Sequence, residues 1–146
     1  MFLLSVLALQ SQQLTATELS LGAETVIAQR TFVGAEFGLA HRPSDDSRIA
    51  LALGGGTVAA RPAARAQLTL QLLVNPAARK GPGFYAGVGG AFTARRGASG
   101  QGFLVVLLGC EVAPGRRQGF YVELGFAGGV RVAAGWRARS FPKWWL

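Results

Sequence analysis

The segment GFYVELGFAGGVRVAAGWRAR, residues 119–139, constrains the fold of this chain more than any other. Charges sit inside apolar runs: Glu123 lies between Val122 and Leu124, and Arg131 between Val130 and Val132. Successive side chains of a β-strand point to opposite faces. Even positions then put Phe120, Val122, Leu124, Phe126, Val130, Val132 and Trp136 on one apolar face. Odd positions put Tyr121, Glu123, Arg131, Arg137 and Arg139, with glycine and alanine, on the other. If Phe126 pairs with Val130, the loop is Ala127-Gly128-Gly129, a length at which hairpins commonly end in a left-handed glycine. Glu123 then faces Ala133, with Arg131 as its diagonal neighbour.

The same alternation recurs upstream. Leu19, Leu21 and Ile27 oppose Glu18 and Glu24; Val33, Phe37 and Leu39 oppose Glu36; Leu68, Leu70, Leu72 and Val74 oppose Gln67, Thr69 and Gln71. Over 103–111 both faces are apolar, and Phe103, Val105 and Leu107 share parity with Glu111. All six prolines fall between apolar segments, where a missing ladder donor does no harm. With the glycine and charge clusters they predict eight strands: 16–27, 31–42, 48–59, 66–75, 83–94, 102–113, 119–126 and 129–139. A helix over 63–80 is the local rival, but Leu68, Leu70, Leu72 and Val74 repeat at period two. The predicted fold class is all-β, an eight-stranded antiparallel up-and-down barrel with short turns.

Composition excludes the main rivals. The 146 residues fit one domain, and 21 glycines argue against a helical bundle. A single cysteine, Cys110, excludes an internal disulfide and a cysteine-based metal cluster. Cys110 has the apolar parity and reads as a small apolar filler. The formal charge of +8 raises nucleic acid as a partner, but the basic residues are scattered in pairs at turns and imply no single groove. No cofactor and no metal are expected. The start, MFLLSVLALQSQ, resembles the apolar core of a secretory signal without a basic leader or a clean cleavage site. The domain reading is therefore a frayed or truncated signal segment at 1–13, with an apolar strand as its alternative, a barrel over 14–141 and an aromatic tail at 142–146.

Parity also suggests which solvent each face meets. Five of the seven acids (Glu18, Glu24, Glu36, Glu111 and Glu123) lie on the polar-parity face among glycine and alanine. That mixture suits a narrow interior in which Glu and Arg satisfy one another. The apolar face is then external and requires lipid. GFYAGVGGAFTARR and GFYVELGFAGGVRVAAGWRAR carry a resemblance to small eight-stranded bacterial outer-membrane barrels of the OmpA/OmpX transmembrane-domain type. The chain departs from that pattern in ending with PKWWL after Phe141, which has interior parity, and in having short connections at both ends.

The resemblance implies a non-enzymatic protein of the bacterial outer membrane with a structural or lipid-contacting role. Its lumen network would comprise Glu18, Glu24, Glu36, Arg42, Arg95, Glu111, Tyr121, Glu123, Arg131 and Arg137. Arg79, Lys80, Arg95, Arg96, Arg116 and Arg117 could meet anionic lipid phosphates, or be ordinary solvated turn charges. Lys143, Trp144 and Trp145 fit an interfacial anchor, with a disordered tail as the alternative. Two other functions compete. A soluble barrel or sandwich binding a small apolar ligand would turn Phe120, Phe126 and Trp136 inward. A lipid-modifying enzyme would join His41 to a serine and an acid, residue types present in HRPSDD, although a strand-end histidine is the simpler reading. The GGG at 54–56 lacks the Lys-Ser/Thr of a phosphate loop and reads as a flexible strand interior or bulge.

Overall fold

A computed structural model describes residues 14–97 and 99–145. Eight antiparallel strands form a closed barrel in chain order. They are β1 (Ala16–Ile27), β2 (Phe32–Arg42), β3 (Ser47–Val58), β4 (Arg61–Val74), β5 (Pro82–Arg95), β6 (Gln101–Val112), β7 (Gln118–Phe126) and β8 (Val130–Ser140). β1 closes the ring on β8, with Leu21 opposite Trp136. Closure leaves no sheet edge, so every strand can satisfy its ladder without water. An even number of strands brings the start of β1 and the end of β8 to one rim, here called the terminal rim. The connections 43–46, 75–81 and 113–117 lie there, and 28–31, 59–60, 96–100 and 127–129 form the distal rim.

The alternation read from the sequence becomes two walls. Large apolar side chains face outward from every strand, from Leu21 on β1 and Leu70 on β4 to Phe120 on β7 and Trp136 on β8. The opposite wall is buried and polar: Glu18, Glu24, Glu36, Gln67, Thr69, Gln71, Glu111 and Glu123 all point into the lumen. Within β6, Val105 and Leu107 face inward, packing with Leu73, Tyr85, Ala91 and Ala127 as an apolar sector of the lumen.

Two connections differ from their predicted form. The fourth strand begins at Arg61, five residues before its predicted start, because Ala59 and Ala60 close a two-residue hairpin with φ of 51° and 63°. Both central residues of such a turn need positive φ, a geometry usually signalled by Asn-Gly. Pro62 consequently lies inside a strand, opposite Thr57 and one step past the turn-closing pair of Val58 and Arg61. At the rim of the ladder its missing N–H is tolerated. The β7–β8 hairpin pairs Phe126 with Val130 as read from the sequence, but its left-handed glycine is Gly128 (φ 80°) rather than the last loop residue. The GGG at 54–56 is regular strand within β3, and it makes room: a Cβ on Gly54 would lie 2.4 Å from the Glu24 carboxylate.

Candidate functional site: the lumen network and its rims

Every acid on the inner wall is met by arginine. Near the terminal rim, Glu18 accepts from Arg42 Nη2 (2.8 Å), Arg48 Nη1 (2.9 Å) and Arg139 Nε (3.1 Å). Glu111, across the lumen on β6, accepts from Arg48 Nη1 (3.2 Å), Arg139 Nη2 (3.1 Å) and Arg137 Nη1. Two carboxylates thus hold four guanidinium groups. Arg42 and Arg48 are fully buried, at 0% exposure.

Farther along the axis the ratio reverses. Arg131 donates from Nε to Glu24 (2.9 Å), from Nη1 to Glu123 (2.8 Å) and from Nη2 to Glu36. Arg65 Nη1 adds a 3.1 Å bond to Glu24. Three carboxylates here share two guanidinium groups, assisted by Tyr85, whose hydroxyl donates to Glu123 at 2.6 Å. Arg137 joins the two layers. It pairs with Glu111 while its Cζ lies 4.4 Å from the Tyr121 ring centroid and 5.6 Å from that of Tyr85.

The register explains this convergence. Glu123 sits opposite Ala133, so the small partner leaves space for Arg131 to reach it diagonally. Gly109 opposes Tyr85, and a Cβ there would fall 2.1 Å from the tyrosine ring, so only glycine lets that ring lie across β6. Alternating large and small residues fill the bore, as an eight-stranded barrel of this diameter allows. One cavity of about 30 Å³ remains within the lumen, lined by Gln67, Thr69 and Gln71 on one side. It has room for no more than about one or two water molecules.

The structure gathers Glu18, Glu24, Glu36, Arg42, Glu111, Tyr121, Glu123, Arg131 and Arg137 in this lumen. Arg95, expected among them, stands apart. It is the last residue of β5 at the distal mouth and makes no ion pair among the described residues. Four lumen residues escaped the sequence-derived network: Arg48, Arg65, Tyr85 and Arg139. Parity held the signal for each, since Arg65 is in phase with Gln67 and Arg139 with Arg137. Arg65 instead falls in ARPAAR, one of the charge clusters that read as turn punctuation, while Arg48 opens the predicted strand 48–59 without an assigned partner.

Phe120 and Phe126 are 68% and 66% exposed, and Val122, Leu124, Val130, Val132 and Trp136 face the same way. This orientation is opposite to that required by a soluble barrel with an apolar ligand core. Arg79, Lys80, Arg116 and Arg117 are exposed on the terminal rim, and Arg96 on the distal rim. Lys143, Trp144 and Trp145 form a 3₁₀ turn folded onto the terminal rim. Trp145 Nε1 donates to the Gly115 carbonyl at 2.7 Å, and Arg79 stacks 4.4 Å from a Trp145 ring centroid. Trp144 is half exposed and meets Trp145 edge-on. The signal-like segment 1–13 lies outside the described residues.

Among the described residues, His41 is hydrogen-bonded to neither a serine nor an acid. Its hydrogen-bond partner is Thr17, at 3.5 Å, whereas Ser44 bonds Asp46 and Ser47.

No protein-family model matches the chain, and no curated protein is similar to it in sequence. Solved structures are similar in fold. The N-terminal barrel domain of Pseudomonas aeruginosa OprF aligns with a TM-score of 0.67 at 14% identity, covering 88% of this chain and 98% of that one. The P. aeruginosa outer membrane protein OprG aligns at 0.69 and 9%, covering 91% and 99%. Neisserial surface protein A gives 0.55 and 12%, covering 85% and 96%. The fold is that of the small eight-stranded outer-membrane barrels.

Proposed function

We propose that this chain is an integral barrel of a bacterial outer membrane, non-enzymatic, with a structural and lipid-contacting role. The observation that carries this reading is the inversion of the barrel. Leucine, valine and phenylalanine surround the outside on all eight strands, while five carboxylates and six arginines are buried inside. In water this arrangement would expose far more contiguous apolar surface than a soluble monomer tolerates. In lipid the outer wall is solvated by acyl chains, and the closed ladder pairs each strand with both of its neighbours.

The inner wall acts as a plug. Its charges neutralise one another across strands that are distant in sequence, fixing the barrel's cross-section and leaving no continuous channel. At the rims Lys80, Arg96, Arg116, Arg117 and Lys143 lie where lipid phosphates would stand, and Trp144 and Trp145 sit at the same level as an interfacial anchor. Arg79 is shared with Trp145, so it supports the tail as well as the rim.

Reconstitution tests the reading. The chain denatured in urea should gain β circular dichroism only on dilution into detergent or phospholipid vesicles, and its strands should then resist protease. Folding to a monodisperse β-protein in plain buffer would overturn the assignment. In a planar bilayer the refolded protein should show no steady conductance; an ohmic current at single-protein level would refute the plug.

A further inference from the structure

The distal end of the lumen is built differently from the rest. Beyond the Arg131 layer, Val26, Phe32 and Val58, side by side on β1, β2 and β3, pack together with Ala63 against them as an apolar floor on that side of the bore. Above this apolar floor opens a cavity of about 520 Å³, within the size range of small-molecule pockets. Phe103 and Ala127 continue the floor, and Arg30, Arg95, Gln29 and Gln101 stand around the mouth. The Phe103 ring is held there by Gly128, where a Cβ would lie 2.5 Å from the ring.

The charge distribution sets this cavity apart. All seven acids of the chain are elsewhere: five in the lumen network, and Asp45 and Asp46 in the β2–β3 turn at the terminal rim. Arg30 and Arg95 therefore line a concave, water-accessible site that contains no carboxylate. The remaining distal-rim arginines, Arg61 and Arg96, only strengthen the positive field. Guanidinium groups bind phosphate and carboxylate in a forked geometry. An apolar floor beneath them suits a short hydrocarbon group.

We propose that this vestibule binds a small, water-borne amphipathic anion: a phosphate or carboxylate head held by Arg30 and Arg95, with its apolar group against Phe103, Phe32 and Val58. Below it the bore is filled by the buried Arg131 layer, so the site is a receptor pocket and not the entrance of a channel. The inference goes beyond the lipid-contacting role. It requires a folded barrel but no particular contact between rim and membrane.

Hexyl phosphate, titrated into protein refolded in phosphatidylcholine nanodiscs, provides the test, with binding followed by amide NMR and calorimetry. It should bind about tenfold or more tightly than either inorganic phosphate or hexanol. The perturbed amides should be those of Phe103, Ala127 and Gly128. Arg30→Gln and Arg95→Gln should each weaken hexyl phosphate binding several-fold, whereas Phe103→Gln should weaken hexyl phosphate and leave inorganic phosphate unchanged. Both arginines lie at the mouth outside the ion-pair network, and either variant carries the test if the other refolds poorly.

Three results would overturn the proposal. One is inorganic phosphate binding as tightly as hexyl phosphate, which would reduce the site to surface charge. Another is perturbation confined to belt residues such as Phe120, which would indicate partition into lipid. The third is displacement by phosphatidylglycerol built into the disc, which would make a membrane lipid the occupant. Failure of this binding in a protein that still requires lipid to fold would leave the outer-membrane reading intact.

Discussion

Arg131 holds three carboxylates on one guanidinium, each through a different nitrogen. Its loss would leave Glu24, Glu36 and Glu123 with one arginine among them, in a space with little room for water. Breaking a buried pair by removing one partner costs about 3–5 kcal/mol, because the remaining charge is uncompensated. Arg131→Met is expected to lower the unfolding free energy in vesicles by about that amount, read from urea titrations of tryptophan fluorescence. Glu123→Gln should cost less, about 1–3 kcal/mol, because the amide oxygen still accepts from Tyr85 and Glu24 and Glu36 still hold Arg131. A variant order reversed from this would show that the network is not centred on Arg131. The Ala59-Ala60 turn is a second residue-scale strain, since each alanine there occupies a left-handed conformation that costs about 1–2 kcal/mol. Ala60→Gly relieves it at the expense of a freer unfolded chain, so a net gain of about 0.5–1 kcal/mol is expected in the same titration. An unchanged or lower midpoint would mean that the turn is not strained.

At the scale of elements, legibility follows from how many neighbours a residue needs to declare its place. The β7–β8 hairpin could be read because loop length, register and the Glu123–Arg131 diagonal all lie within one local stretch, and the observed pairing of Phe126 with Val130 depends on nothing else. β4 could not be read to its true start. Its turn has neither Gly nor Asn, and Pro62 and Arg65 imitate turn punctuation when the closed ladder is not visible. Arg65 was hidden for the same reason, and the acids that hold Arg48 and Arg65 are supplied by β1 and β6, far away in sequence. The C-terminal turn was ambiguous because its partners, Gly115 and Arg79, belong to two other connections. Trp145→Ala removes both contacts and should cost about 1–2 kcal/mol. It should also speed removal of the tail by carboxypeptidase in refolded protein. Trp144→Ala, at a half-exposed position, should leave that rate nearly unchanged; equal effects of the two would mean that Trp145 does not hold the tail on the rim.

Across the whole molecule the charges are layered along the axis. The terminal layer has four arginines against two glutamates, a net of +2, and the Arg131 layer has two arginines against three glutamates, a net of −1. The lumen is thus close to neutral at +1, and the other +7 of the formal +8 stands at the rims. A chain that appears strongly basic therefore has an almost balanced interior and two cationic ends. This separation is what an apolar belt between two layers of phosphate demands, and it yields a depth-dependent prediction. Leu21 lies mid-strand in β1, 62% exposed and opposite both Phe37 and Trp136, whereas Ile27 is outward-facing at the strand's distal end. If acyl chains surround the belt, Leu21→Arg should cost about 2–4 kcal/mol and Ile27→Arg only about 0–1 kcal/mol. Reversible urea unfolding from phosphatidylcholine vesicles measures both. Water around the belt would make both substitutions nearly harmless, because an arginine at either site would simply be solvated. Equal, large penalties would instead mean that the lipid boundary lies beyond Ile27 and that the distal rim is more deeply immersed than its four arginines suggest.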